Sequence, residues 1–399
     1  MTICNIVDFG AKENELSTAA IQKAIDTCPE GGRVLIPKGR FISGALFLKS
    51  DMTLFLEEGA CLAGSSSLSD FPLMTYRFEG LEQLCYASLI NTDGKPHRNI
   101  TIDGRGTIDA NGRFLYRAEL DENGGKRGRA LCIRNTENLK ISNITIRNSP
   151  AWCLHVVYCA GVTIDGLNIQ TKYAEDGSRY KLHNGDGIDI DSCKDVQISN
   201  CLISSQDDCI AIKSGSNEEG RRVGIPSKNI IIENCRFTSG FGVAVGSEMS
   251  GGAENITVRN CKFENTYSLA SIKAIRGRGG YVKNILFENC THYNHSDEHK
   301  DCEWFRGAIY IDRFYSHIEF DPDKKESITE ATPTVDGIVF KNITTETTAG
   351  NAIFLCGLPE SPLENVKFEN VKAHGKYGLV KHNLRNALFT DFAVTSDND

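Results

Sequence analysis

Val196-Gln197-Ile198-Ser199-Asn200-Cys201 is followed by three close copies, Ile230-Ile231-Ile232-Glu233-Asn234-Cys235, Ile256-Thr257-Val258-Arg259-Asn260-Cys261 and Ile285-Leu286-Phe287-Glu288-Asn289-Cys290. Each alternates with the period of two that a half-buried strand requires, then sets Asn before Cys. Weaker copies start at Ile100, Leu139, Val162, Ile338 and Val366, with Asn143, Asn342 and Asn370 in the Asn phase and Ile144, Leu167, Ile343 and Val371 in the Cys phase. The Cys phase is therefore an apolar phase. Start-to-start spacings of 39, 23, 34, 34, 26, 29, 53 and 28 residues describe coils of constant core and variable loops, the signature of a solenoid. Parallel strands of successive coils, stacked about 4.8 Å apart, place like residues over like. Asn at a bend tolerates left-handed geometry and hydrogen-bonds the amides of the next coil, so the Asn column is read as structural. Cys201, Cys235, Cys261 and Cys290 are read as small buried hydrophobes in reduced form. The Asn-x-Ser/Thr matches at Asn99, Asn143, Asn255, Asn294 and Asn342 fall mostly in this repeat and are read as incidental to glycosylation.

The expected fold is all-β, a single-domain right-handed parallel β-helix over residues 1–399, with an N-terminal cap and first coils at 1–65 and the remaining coils and cleft-forming loops at 66–399. Thr18 is the expected N-cap of a short helix whose face is Ala20, Ile21, Ala24, Ile25 and Cys28, ended by Pro29 and Gly31-Gly32. Such a helix would plug one end of the solenoid. Loop candidates lie at about 66–95, 111–130, 171–185, 214–227 and 291–335, and loops on one side of a solenoid usually build its cleft.

Of the 399 residues 40% are hydrophobic and 24% charged, enough apolar material for a large core and too little net charge for disorder. A net charge of −8 argues against a nucleic-acid partner, though a local basic cleft for an acidic sugar would survive it. No run of 18 apolar residues occurs, so no membrane span is expected. Met1-Thr2-Ile3-Cys4-Asn5 lacks the start of a secretory signal, and a cytoplasmic location is expected. The 15 cysteines are odd in number and cannot all pair.

The chemistry sits in His183-Asn184-Gly185-Asp186-Gly187-Ile188-Asp189-Ile190-Asp191 and Ser205-Gln206-Asp207-Asp208-Cys209-Ile210-Ala211-Ile212-Lys213-Ser214-Gly215. Asp186 and Asp207 are 21 residues apart, compatible with one compact coil that gathers Asp186, Asp207 and Asp208 on one face. Crowded carboxylates repel, so one keeps its proton while its neighbours ionise, the division of labour glycoside hydrolysis needs. The same residues also read as turn formers or as calcium ligands.

Those two runs, with Gly240-Phe241-Gly242-Val243-Ala244-Val245-Gly246-Ser247-Glu248 and Ser271-Ile272-Lys273 ahead of Arg276-Gly277-Arg278-Gly279-Gly280, resemble glycoside hydrolase family 28, the polygalacturonases. Asp8-Phe9-Gly10-Ala11-Lys12, the helix segment Ala19–Ile25 and Ser149-Pro150-Ala151-Trp152 resemble its bacterial members, so the likeness spans nearly the whole chain. The resemblance implies hydrolysis of α-galacturonosidic bonds in pectic oligosaccharides with inversion, without metal or organic cofactor. It also implies Asp207 as general acid, Asp186 and Asp208 as the pair that activates water, and Lys273 as the holder of a substrate carboxylate. Tyr315 matches either the family's substrate-contacting Tyr or a buried structural one.

Where the family usually reads Asn-Thr-Asp this chain has Asn184-Gly185-Asp186, which keeps the carboxylate, and Asn184 is expected to contact substrate. Where it reads Gly-His-Gly and Arg-Ile-Lys, this chain has Gly240-Phe241-Gly242 and Ser271-Ile272-Lys273. Losing a guanidinium removes a bidentate carboxylate clamp on the leaving-group side, and Phe241 is expected to offer an apolar face suited to a deoxy sugar such as rhamnose or to a hydrophobic aglycone. Arg276 or Arg278 either replaces the clamp or is structural. Glu248 is a further cleft acid or a buried partner for Lys273, and His183 a substrate contact or a solvated side chain. Trp152, Trp304 and Tyr281 are stacking platforms or core. Exo action is expected of a cytoplasmic enzyme that meets imported fragments. The rival readings are a rhamnogalacturonan-type or other unusual galacturonoside hydrolase, a calcium-dependent pectate lyase and an inactive carbohydrate-binding solenoid. Oligomeric state is not legible in the sequence.

Overall fold

The structure, a computed structural model, describes residues 2–120, 125–171, 182–296, 305–315 and 320–398; Trp304 and parts of three of the five expected loops lie outside the described residues. By packing, the chain divides into two compact units, Met1–Phe78 with Glu82–Asp189 and Cys193–Asp207, and Glu79–Leu81 with Ile190–Ser192 and Asp208–Asp399. Each is a stack of parallel β coils, the parallel β-helix expected from the repeat.

In the first unit one stack runs through Gly32–Ile36, Met52–Leu56, His97–Gly104, Thr136–Ser142, Ala160–Asp165 and Lys194–Ser199. Its register lines up Val34, Leu54, Ile102, Ile141, Ile164 and Ile198, all fully buried. A one-residue slip would turn this apolar column to solvent, so the alternation fixes the register. The N-terminal helix spans Thr18–Thr27 and buries Ile21, Ala24 and Ile25. Its N-cap is Ser17 rather than Thr18, because the Thr18 hydroxyl accepts the Gly44 amide at 2.7 Å. Gln22 fastens the helix to the first coil, donating to the Phe47 carbonyl at 3.0 Å and accepting its amide at 2.9 Å.

In the second unit the corresponding stack includes Ser227–Glu233, Ala253–Arg259, Tyr281–Asn294, Thr334–Thr347 and Lys367–Gly375. Phe287, Phe340 and Phe368 stand in register with ring centroids 5.2 and 4.8 Å apart, nearly parallel. Asn289, Asn342 and Asn370 adopt φ of +55°, +54° and +52° and link side chain to side chain, Asn289 to Asn260 at 3.3 Å, Asn342 to Asn289 at 2.8 Å and Asn370 to Asn342 at 2.9 Å. The Asn column is thus structural for the reason read from its repeat. The cysteines of the next phase are buried, and none of the described cysteines is in a disulfide.

A second sheet of this unit runs Ile210–Lys213, Val243–Val245, Ala270–Lys273, Gly307–Asp312, Asn351–Cys356 and Tyr377–His382. Ile212, Val245, Ile272, Ile311 and Leu355 form its core column. The alternate column is Ala211, Ala244, Ser271, Tyr310 and Phe354, and it carries the residues of chemical interest. Among the described residues, no helix is long and apolar enough to cross a membrane.

Candidate active site

In the first unit, Asn184 turns the chain with φ +54° just ahead of Asp186. Gly185 is small of necessity, since a Cβ there would lie 2.9 Å from the Gln206 Cβ. Its carbonyl accepts the amides of Gln206 at 3.0 Å and Asp207 at 3.3 Å, which ties the two motifs together across one coil. The Ser205 hydroxyl donates to the Asp207 carbonyl at 2.7 Å, and the Asp186 carbonyl accepts the Cys153 amide at 2.9 Å. As a result an Asp186 and an Asp207 carboxylate oxygen come within 4.8 Å of each other, Asp186 buried and Asp207 half-buried. Oxygens this close can share a proton, and they can also share a hard cation.

Arg127, absent from the sequence reading, braces this turn. Its guanidinium donates to the His183 carbonyl at 2.6 Å, the Pro150 carbonyl at 3.2 Å and the Asn184 side-chain oxygen at 2.7 Å, with the Tyr116 ring 5.2 Å beneath it. Asn184, expected to bind substrate, therefore has its amide oxygen committed to holding the loop. His183 is exposed, and Trp152 is core, stacked 5.2 Å from Phe78. Tyr281 is half-buried under the Lys283 ammonium, 4.7 Å from its ring.

In the second unit, Asp208 is buried and pairs with Lys273 at 2.7 Å, and the Lys273 ammonium lies 5.1 Å from the half-buried Tyr315 ring. The structure therefore groups Asp208, Lys273 and Tyr315. Tyr310 lies one strand on from Ser271 in register; burial pushes its phenol up, against the pull of Lys273.

Glu248 is neither an open cleft acid nor the direct partner of Lys273. It takes Lys213 at 2.8 Å, accepts the Ser247 hydroxyl at 3.1 Å and has the Arg278 guanidinium 3.9 Å away. Burial alone would push its carboxyl up, but Lys213 foremost, with Arg278 and Lys273, overcomes this and holds it down at about 2. The motif by itself gives Lys213 no role, and strand alternation on Ile210–Lys213 is the signal that places it opposite the core face.

Two expectations need correction. Phe241 is 3% exposed and packs with Tyr267, Phe305 and Ala349, so it presents no open apolar face to a sugar. Arg276 is clamped by both oxygens of Glu360, at 2.7 and 3.0 Å, and donates to the Lys324 carbonyl at 2.7 Å, so it is structural. Arg278 likewise donates to the Ser247 carbonyl at 2.8 Å and to the Asn217 side chain at 2.7 Å. Both substitutes for the absent arginine are thus occupied, because Gly277 and Gly279-Gly280 wind them into a turn.

The family model for glycosyl hydrolases family 28 matches residues 33–388. A "Probable polygalacturonase" of Vitis vinifera is 32% identical over 389 residues, 93% of this chain and 74% of that protein. An "Exo-poly-alpha-D-galacturonosidase" of Dickeya chrysanthemi is 28% identical over 337 residues, 72% of this chain and 54% of its own length. Among solved structures, a hyperthermoactive exopolygalacturonase from Thermotoga maritima superposes with a TM-score of 0.81 at 23% identity, covering 99% of this chain and 94% of that one.

Proposed function

We propose, for a chain that belongs to glycosyl hydrolases family 28 and is a glycosidase, that it hydrolyses α-galacturonosidic bonds of pectin-derived oligosaccharides from a chain end. The observation that carries the reading is the Asp186–Asp207 pair, two carboxylates of unequal exposure with oxygens within 4.8 Å, followed directly by Asp208 on its Lys273 partner. Asp207, the more exposed, delivers the proton to the leaving oxygen. Asp186 and Asp208 stay ionised and activate water, and Lys273 favours the charged form of Asp208. Lys273 and Tyr315 contact the sugar on the leaving side, where an ammonium suits a uronate carboxylate. The exo mode rests on the name of the Dickeya relative, which covers part of its own length only.

Stereochemistry divides two readings. The motif resemblance favours inversion, whereas nearest oxygens within 4.8 Å fall closer to the roughly 5 Å of retaining enzymes than to the roughly 6.5–9.5 Å of inverting ones. The gap that separates the two classes is measured between carboxyl groups rather than single oxygens, and on the motif resemblance we keep inversion. Proton NMR of the first-formed anomer decides. Free thiols among the described cysteines support action in a reducing compartment.

The test is mass spectrometry of products from oligogalacturonides and rhamnogalacturonan oligomers, with wild type and Asp207→Asn, with and without chelator. Water-added products from wild type alone, insensitive to chelator, are expected. Unsaturated, chelator-sensitive products would mean a lyase, and near-normal turnover by folded D207N would remove the acid assignment.

A further inference from the structure

We infer that Arg306 is the carboxylate clamp on the leaving-group side, taking over the work of the guanidinium missing at Ser271, and that the cavity it borders receives further uronates of the substrate chain. The inference rests on the proposed galacturonosidase reading.

Position 271 has no room for the missing arginine. Ser271 is fully buried, and the next strand places beside it Tyr310, itself packed among Phe314, Phe354, Cys356 and Leu358. Arg276 and Arg278 are committed to Glu360 and to the Ser247 turn.

Arg306 differs from both in geometry. Its Nε donates to Asp312 at 2.8 Å, and Asp312 is fully buried, stands in register with Lys273 and accepts the Phe314 amide at 2.7 Å. The guanidinium carbon lies 5.5 Å from the Phe354 ring centroid and 5.9 Å from that of Phe320. One edge is thus anchored and the plane is fixed by two rings, while among the described residues neither Nη has a hydrogen-bond partner. With the side chain 23% exposed, that open edge is a preorganised two-pronged donor, the geometry that suits a carboxylate.

Arg306 borders a cavity of about 560 Å³ walled by Phe305 and Phe354 and rimmed by Asn351, Lys376 and Tyr377. Tyr377 is 44% exposed, with the Lys376 ammonium 5.5 Å from its ring. An aromatic face beside an exposed cation suits a pyranose that bears a carboxylate. Asp397 also lines the cavity and is paired to His374 at 3.2 Å, which offsets its charge toward a uronate when the imidazole is protonated. A deoxy sugar would leave the Arg306 fork unmet, so the site selects an acidic leaving chain.

The experiment compares kcat/KM on trigalacturonate with that on p-nitrophenyl α-D-galacturonide, whose leaving group has no carboxylate, and measures digalacturonate binding by calorimetry. A bidentate contact to a charged group implies that Arg306→Gln lowers the trigalacturonate-to-aryl ratio about 10- to 100-fold and weakens digalacturonate to match, with Arg306→Lys in between. Should R306Q fail to fold because buried Asp312 loses its partner, Lys376→Gln leaves that pair intact and is expected to weaken tetragalacturonate relative to digalacturonate. An unchanged ratio in folded R306Q, or an unchanged preference for the longer chain in K376Q, overturns the inference. Wild type that binds digalacturonate through Arg306 yet cleaves nothing would sink the proposed activity and leave the clamp standing. Wild type that binds no uronate sinks both.

Discussion

Replacing Glu248 by Gln keeps the shape of the side chain and removes its charge, leaving the buried Lys213 ammonium and the Arg278 guanidinium without their anion. The carboxyl is held at about 2 against its ordinary 4.5, a difference worth roughly 3 kcal/mol of folding free energy, in line with the cost of breaking a buried pair. Because the folded value lies below the unfolded one, this contribution is fully present above about pH 4.5 and is lost as pH falls toward 2. Denaturant unfolding of wild type and E248Q at pH 7, 4, 3 and 2 is the assay. The variant is expected to be less stable by about 3 kcal/mol at pH 7, with the gap closing through the acid range. A gap under about 1 kcal/mol at neutral pH, or one that does not narrow with acid, would refute the reasoning and mean that Arg278 and Lys213 find other partners.

Burial pushes the His292 imidazole down to about 4, against the Thr266 carbonyl that accepts from it at 2.8 Å. The unfolded chain therefore binds a proton between about pH 6.5 and 4 that the folded one refuses, so stability is lost as pH falls through that range, and His292→Gln should flatten that slope in an unfolding titration. Lys273→Met removes the cation that favours ionised Asp208, so turnover should fall and the acid limb of its pH–rate profile should move to higher pH; an unmoved limb would take Lys273 out of the role. Asn289 supports both the left-handed turn and the amide ladder, so Asn289→Ala should cost about 1 kcal/mol more than Asn289→Gly, which keeps the φ of +55° and loses only the ladder; equal losses in unfolding experiments would count against the strain argument.

Much of the coil was legible because its determinants are local. Alternation over six residues sets which side chains enter the core, and Asn at the bend adopts +φ and meets the next Asn at any coil spacing, whatever the loop between them does. The Asp186 and Asp207 motifs were legible for a related reason, since one short coil can only bring their turns together. Tertiary structure alone decided the partners of the long charged side chains. Glu248 reaches Lys213 across 35 residues and Arg276 reaches Glu360 across 84, distances over which a single sequence carries no pairing signal. The same holds for Phe241, exposed in expectation and buried in fact, because the rings that cover it come from Tyr267 and Phe305 on later coils. Period and backbone chemistry are written into each repeat, whereas what surrounds a guanidinium or a ring depends on which loops stack over it, and only the folded chain holds that information.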